Sequence, residues 1–266
     1  MLTAQVQRWN AGKPRYRPAG ERINTAAFEV AEIPGDAVAR AFVQSSHYSA
    51  SYPAARFRYG LYTNGKLAGV AVYSVPVNEA ALNCLPGTGM ERTELGRFVL
   101  LDDVPGNGES WFLARTFELL RGEGITGVLA MSDPVERTTA DGARIFPGHI
   151  GTIYQATNAS FLGRATARTL RLLPDGTVLN SRSIQKLRAG ESGWRGVAAL
   201  LERHGAQQLG VDEDRAAWAQ RWIPALTRPL RHPGNFRYAW AMRARDRRHL
   251  PNALPYPKNV TGDLRA

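Results

Sequence analysis

Apolar positions along the chain set out a short series of elements. Behind Pro34-Gly35-Asp36, the residues Val38, Ala41 and Phe42 recur on one face, which predicts a helix over 33–46. Phe57–Tyr62 and Leu67–Tyr73 read as two strands joined at Thr63-Asn64-Gly65-Lys66. Asn-Gly accepts positive φ at both central positions of a tight turn, so this pair predicts a hairpin. Glu94–Leu101 reads as a further strand, and the loop Asp102–Ser110 leads into a helix over Trp111–Arg121 with Leu113, Phe117 and Leu120 at core spacing. The unbroken apolar run Gly127–Met131 predicts a buried strand, which Ser132-Asp133-Pro134 ends. Pro134 biases Asp133 towards extended backbone, which would hold its carboxylate at the strand's C-terminal edge. Ligands bind at that edge in open α/β sheets.

After Arg164 the pattern changes. Thr169–Leu173 and Thr177–Asn180 predict a second hairpin around Pro174-Asp175-Gly176, and Trp194–Arg203 a helix stopped by His204-Gly205. Asp212-Glu213-Asp214 supplies acidic caps for a helix reaching Trp222. Pro224, Pro229 and Pro233 then enforce an irregular path to a strand at Asn235–Trp240, followed by an extended basic tail. Residues 1–27, rich in Arg and Pro, read as a loosely ordered arm. Internal repeats are absent. The expected organisation is an N-terminal arm over 1–27, a catalytic domain over 28–188 and a basic extension over 189–266.

At 266 residues, 44% of them hydrophobic, the chain is long enough to bury a real core. No apolar run approaches the roughly 20 residues that span a bilayer. Met1-Leu2-Thr3-Ala4-Gln5 lacks the basic-then-apolar pattern of a secretory leader, and a single cysteine, Cys84, excludes an intramolecular disulfide or a cysteine zinc cluster. A cytoplasmic protein is expected. The net charge of +11 is unevenly placed: residues 1–163 carry 15 Lys/Arg against 15 Asp/Glu, and residues 164–266 carry 19 against 8. Most of those cations are Arg, which forks onto phosphate, so the C-terminal part is expected to bind a polyanion. An arginine-rich composition that only maintains solubility is the plainer reading, and it does not account for the asymmetry.

The densest chemistry lies between Ser132 and Arg164, in Gly148-His149-Ile150-Gly151-Thr152-Ile153-Tyr154-Gln155-Ala156-Thr157-Asn158. An acid, an imidazole, a phenol and two carboxamides are separated here by glycines that admit a ligand close to the backbone. Ile150 and Ile153 are placed to anchor the run to a core. Tyr154 and Asn158, four residues apart, would share a face if the run is helical.

The order helix, hairpin, strand, glycine loop, helix, strand resembles the GNAT acyltransferase superfamily. There, a glycine loop before a helix offers N–H groups to the donor's pyrophosphate. The usual loop reads Arg/Gln-x-x-Gly-x-Gly/Ala; here it is Pro-Gly-Asn-Gly-Glu-Ser, with no leading cation and with Glu109 in its path. The chain further resembles the Mom DNA-modification proteins of Mu-like bacteriophages over roughly residues 40–185. That resemblance rests on His47-Tyr48, Tyr59–Gly65, Glu94-Leu95-Gly96-Arg97, Asn107-Gly108-Glu109-Ser110, Ser132-Asp133, the Gly148–Asn158 run, Gly163 and Arg168-Thr169. It implies an α/β (α+β) fold with a GNAT-like acyltransferase core and a mixed central sheet; the basic C-terminal extension, expected to bind DNA, is read from its charge. It also implies an enzyme that converts the N6 amino group of adenine in DNA to a carbamoylmethylamino group, protecting DNA from restriction.

On that reading Asp133, Tyr154, His47 and Tyr48 are the expected catalytic residues, with Asp133 accepting or orienting an N6 proton. Arg97, Asn107, Gly108 and Ser110 are expected at the donor. His149, Gln155, Asn158, Arg164, Arg168, Arg182, Lys186, Arg188, Arg243, Arg245, Arg247 and Arg248 are expected at the base or the DNA. Structural roles stand beside these: Asp133 as a turn acceptor, Ser110 as a helix cap, Tyr154 and Asn158 as satisfied core groups, and Arg97 ion-paired with Asp102 or Glu94. His47 with Asp133 could hold iron, for which one imidazole and one carboxylate is a thin donor set. The donor is expected to be an activated glycine-type or acyl group, from acetyl-CoA or an aminoacyl carrier. The partners are expected to be double-stranded DNA, and RNA if the donor is an aminoacyl-tRNA, with no membrane. An ordinary GNAT N-acetyltransferase acting on a small amine or protein, and a non-catalytic nucleic-acid-binding protein, are the alternatives.

Overall fold

The computed structural model describes residues 5–18, 20–76 and 78–258. Met1-Leu2-Thr3-Ala4, part of the stretch read for a leader, lie outside the described residues. The chain divides into two compact units, 1–134 with 149–165 and 235–266, and 135–148 with 166–234.

In the first unit, β1 (Gln5–Asn10) and β2 (Lys13–Pro18) form an antiparallel hairpin of their own, in register from Gln5↔Pro18 to Asn10↔Lys13. The expected loose arm is therefore a built element. Its polar sequence hides this, because its stability comes from docking. Arg8 and Trp9 are buried although they are neighbours on one strand, so both faces of β1 are covered.

The chain continues through β3 (Phe28–Glu32), α1 (Ala37–Ser46), β4 (Ala55–Thr63), β5 (Lys66–Ser74), β6 (Arg92–Leu100), α2 (Gly108–Gly122) and β7 (Gly127–Ser132). The β4–β5 turn falls at Asn64-Gly65, both at positive φ as the sequence requires. Two short strands, β8 (Arg137–Thr138) and β9 (Arg144–Phe146), precede the five-residue helix α3 (Thr152–Ala156) and the strand β10 (Ser160–Arg164). Then follow β11 (Arg168–Leu172), β12 (Val178–Leu179), α4 (Ser181–Ala189), α5 (Trp194–Arg203), α6 (Arg215–Leu226), β13 (Arg228–His232) and β14 (Phe236–Ala241).

A seven-stranded sheet in the order β10-β14-β7-β6-β5-β4-β3 forms the first unit's frame, antiparallel throughout except between β6 and β7. Val70, Val72 and Val99 face α1 on one side, with Ile33, Ala39 and Val43. Ala71, Tyr73, Leu95 and Leu100 face α2 on the other, with Phe112, Leu113 and Leu120. Ile150 and Ile153 pack against this second core, as expected.

β14 sits between β7 and β10, so residues 235–258 belong to the sheet-bearing unit and not to a separate C-terminal extension. The expected boundary at 188/189 is replaced by an insertion, residues 166–234, between two neighbouring strands. Arg243–Arg248, expected as extended tail, lie on a 3-10 turn over Ala244–His249 and at its cap.

The second unit, described by itself, has the three-stranded sheet β12-β11-β13, the β8–β9 ribbon and the helices α4 to α6 around Leu173, Leu179, Leu187, Leu201, Trp218 and Ile223. The segment with three prolines contains β13, whose Pro229 is paired with Arg171.

Candidate active site

The parallel pairing of β6 and β7 runs only from Arg92↔Gly127 to Leu95↔Ala130. Beyond Leu95, β6 pairs with β5 alone, and beyond Ala130, β7 pairs with β14 alone. The two strands part, and a cavity of about 220 Å3 opens between them, lined by Glu94, Arg97, Asp133, His149 and Tyr154, and by His47 and Tyr48 from the end of α1. Its size is below the roughly 300–1,000 Å3 of sites for drug-sized ligands, which suits a single ring system.

A β-bulge sets the chemistry of its wall. Val72 pairs with Arg97 and Tyr73 with Leu95, leaving Gly96 as the extra residue. One inserted residue reverses the alternation of faces, so Glu94 and Arg97 come to the same face, the α1 side of the sheet. A Cβ at Gly96 would lie 2.5 Å from Ser74 Oγ and 3.2 Å from Pro53 Cγ, so a larger residue there makes the serine hydroxyl turn away. Arg97 donates from Nε to Ser51 O (2.8 Å) and from Nη2 to Ser51 Oγ (2.6 Å), with its own Gly96 carbonyl as a third acceptor. Its partners are neutral oxygens, and the expected ion pair with Asp102 or Glu94 does not form. Burial lowers its pKa.

Glu94 is half-buried, and while its backbone is paired in the sheet, its carboxylate has no hydrogen-bond partner among the described residues. Desolvation raises its pKa above the ordinary carboxylate value, and nearby Arg97 opposes part of that rise. The sequence reading treated Glu94 only as a partner for Arg97. The available signal was a carboxylate inside a strand with apolar neighbours, but the face it takes depends on the bulge.

His47 is the C-terminal cap of α1 and is buried. The backbone N–H of Ser49 donates to Nδ1 (3.1 Å), so the neutral ring carries its proton on Nε2. Burial, followed by the charges of Arg97 and His149, lowers its pKa well below the ordinary histidine value. His47 is thus a neutral donor. Its ring lies 4.2 Å from that of Tyr48, which in turn lies 4.5 Å from Trp9 and 5.9 Å from His149. Tyr154 is buried against Tyr238 and Trp240, and burial raises its pKa, keeping the phenol protonated. Asp133 follows β7 as expected, and its carbonyl accepts from His149 N (2.8 Å), tying the Gly-His run to the strand end.

Several expected residues lie elsewhere. The helix α3 ends at Ala156, and Asn158 is exposed in the left-handed region at φ 57°, where it terminates the turn; it shares no helical face with Tyr154. Asn tolerates this conformation better than most residues. Gln155 donates to Ile150 O (3.2 Å) and Tyr238 Oη (3.3 Å) and so supports the segment from inside. Ser110 Oγ donates to Asn107 O (3.0 Å), a local helix-start bond.

Two amides of the glycine loop are taken up inside the protein. Gly106 N donates to Glu21 Oε2 (2.6 Å), and a Cβ at Gly106 would collide with Pro18 O. Gly108 N is bonded to Pro105 O (2.8 Å). On the other side of the loop the buried Arg8 guanidinium pairs with Glu109 (2.6 Å) and donates to the Leu101, Val104 and Pro105 carbonyls. Gly108 N and Ser110 Oγ thus have local partners at the start of α2, while Asn107 Oδ1 is buried with no hydrogen-bond partner among the described residues.

Of the expected DNA contacts in the first unit, Arg164 is exposed beside the Phe236 ring (4.4 Å), at the end of β14 that carries the cavity-lining Asn235. Arg243, Arg245, Arg247 and Arg248 are also exposed, but they follow β14's far end, where Ala241 pairs with Gly127. In the second unit Arg168 lies on β11, and Arg182, Lys186 and Arg188 on α4, with Arg182 paired to Glu191. Iron does not fit the cavity: His47 offers only a protonated Nε2, and among the described residues no three His, Cys, Asp or Glu side chains gather as a metal site. No helix among the described residues is long and apolar enough to cross a membrane.

The helix, hairpin, bulged strand, loop, helix and parting strand define a GNAT-like α/β protein whose cavity lies where β6 and β7 diverge. The chain belongs to the Mom protein family, whose model matches residues 27–258. No curated protein matches it. Among solved structures it is similar to an IAA acetyltransferase from Bacillus cereus ATCC 14579, with 10% identity, 80% of this chain and 99% of that one covered, and a TM-score of 0.36. It is similar also to the ribosomal-protein-S18-alanine N-acetyltransferase from Escherichia coli, with 14% identity, 57% and 88% covered, and a TM-score of 0.34. A tandem GNAT protein from the clavulanic acid biosynthesis pathway matches at 11% identity, with 74% and 65% covered and a TM-score of 0.36. Likenesses this loose carry no argument about activity.

Proposed function

We propose that this protein is a transferase that modifies the exocyclic N6 amino group of adenine in DNA, with the base extruded into the cavity between β6 and β7. The observation that carries the reading is Glu94: a half-buried carboxyl without a hydrogen-bond partner among the described residues, on the wall of a small cavity bordered by aromatic rings. The N6 lone pair is delocalised into the ring, so the amine attacks well only as its proton leaves. A carboxylate with a raised pKa is suited to accept that proton near neutral pH. In the step, N6 attacks the acyl carbon of an activated donor, and the bond from that carbon to the carrier breaks. The N6 proton passes to Glu94, and the leaving carrier takes a proton from water. Neutral His47 and the Tyr154 phenol are hydrogen-bond donors to the developing negative charge.

A glycyl group on N6 has the same atoms as a carbamoylmethyl group, so a glycine-type donor reaches that product by rearrangement. An acetyl group lacks the nitrogen. The engaged glycine loop favours a donor held otherwise than by that loop. Arg164 at the cavity end of the sheet supplies charge for the DNA backbone.

Mass spectrometry of nucleosides from plasmid DNA recovered from expressing cells tests the reading. The wild type should give a new adenine-derived nucleoside, absent with Glu94→Gln. Unmodified DNA from soluble wild-type protein, or full modification by Glu94→Gln, overturns it.

A further inference from the structure

We infer that the hairpin β1–β2 is the acceptor-recognition wall of the cavity, with Trp9 stacking on the acceptor's ring and the Gln7 carboxamide bonding its edge. The inference rests on the adenine reading above and extends it to residues outside the family match, which begins at residue 27. Gln7 and Trp9 are two apart on β1 and so share a face, and both line the cavity. The Gln7 carboxamide nitrogen is buried with no hydrogen-bond partner among the described residues, although it borders a polar cavity. A buried donor left in that state is costly, and a ligand acceptor would satisfy it. Trp9 is buried with its ring 4.5 Å from that of Tyr48. A carboxamide beside aromatic faces is the set that reads and holds an adenine, by its edge and by stacking.

Arg8, on the opposite face of the same strand, holds this wall in place. Its ion pair with Glu109 and its bonds to three loop carbonyls fix β1 between Gln7 and Trp9, and Arg8 and Glu109 themselves border the cavity. Arg17, bonded to the Asp102 carbonyl, and Glu21, bonded to Gly106 N, fasten the other end.

The test uses the full chain labelled with 5-fluorotryptophan, and adenosine as the probe. Trp9→Phe assigns the Trp9 resonance among the six tryptophans. Adenosine should shift that resonance saturably. Trp9→Ala should weaken adenosine binding roughly tenfold or more, the loss expected of one base–aromatic stack, with Trp9→Phe recovering most of it. Gln7→Ala should weaken binding without lowering the melting temperature. Adenosine binding that ignores both alanine variants and leaves the Trp9 resonance unmoved overturns the inference and spares the adenine reading. Failure of the wild type to bind adenosine overturns both.

Discussion

Replacing Arg8 by Met is the most demanding test of how the hairpin is held. Arg8 and Glu109 have side chains only 2% and 7% exposed, and they meet at 2.6 Å. Removing the cation strands the Glu109 carboxylate, whose Oε2 already lacks a partner, and leaves three loop carbonyls short of a donor. Breaking one side of a buried pair costs about 3–5 kcal/mol. For a unit of this size each kcal/mol lowers Tm by about 2–4 °C, so R8M should melt about 6–20 °C lower. The hairpin's own docking energy caps the loss, because an undocked hairpin lets water reach Glu109. Glu109→Gln should cost less, about 1–2 kcal/mol, since Arg8 retains its carbonyl acceptors and a neutral amide oxygen. The double variant should be more stable than R8M, because neither charge is then stranded. Thermal unfolding followed by near-UV circular dichroism gives the three shifts. Trypsin cleavage after Arg15 reports hairpin release, Lys13 and Arg17 being protected by the prolines that follow them. An R8M melting point within about 2 °C of wild type, with Arg15 still protected, would refute the argument from a stranded charge.

Acid should destabilise the first unit partly through His47. Its folded pKa lies below 6.5, so the unfolded chain takes the proton first, and stability falls as pH drops through the unfolded value towards the folded one. Urea midpoints at pH 7.5 and 5.5 should differ less for His47→Gln than for wild type. Glu94 has the opposite sign: its raised folded pKa favours the fold at low pH and costs stability as pH rises through that value. The rate of modification should climb over the same range as the carboxylate forms, and Glu94→Gln should lose about 10²–10⁴-fold and flatten that limb. Gly96→Ala should lower activity by crowding Ser74 and Pro53 at the bulge, whereas Gly122→Ala, at a helix position with open space around the new Cβ, should leave activity intact and add about 0.5–1 kcal/mol of stability.

Local signals located much of the frame. Asn64-Gly65 fixed a hairpin because its backbone demand is met within four residues, and the apolar run Gly127–Met131 could only be a buried strand. The helices at 108–122 and 194–203 followed from spacing and caps in the same way. What depended on distant partners was lost. Residues 5–18 carry four cations and two prolines, and their hairpin is held by Arg8's pairing with a loop some hundred residues away. The place of β14 beside β7 is likewise non-local. In the site, the cavity's His47, Tyr48, Asp133, His149 and Tyr154 were legible, while Glu94 was masked by a bulge that reverses its face. Asn158 was misplaced because the five-residue helix stops two residues before it.

The insertion between β10 and β14 bears on how the chain is made. Until Phe236–Ala241 leave the ribosome, β7 has no neighbour on one side, and the strand that ends at Asp133 stays a bare edge while more than a hundred further residues are synthesised. An apolar strand with an unpaired edge is a template for association with other chains. Synthesis that stalls inside the second unit should therefore yield aggregates rather than a soluble fragment, and the cavity should appear all at once, when β14 closes the sheet.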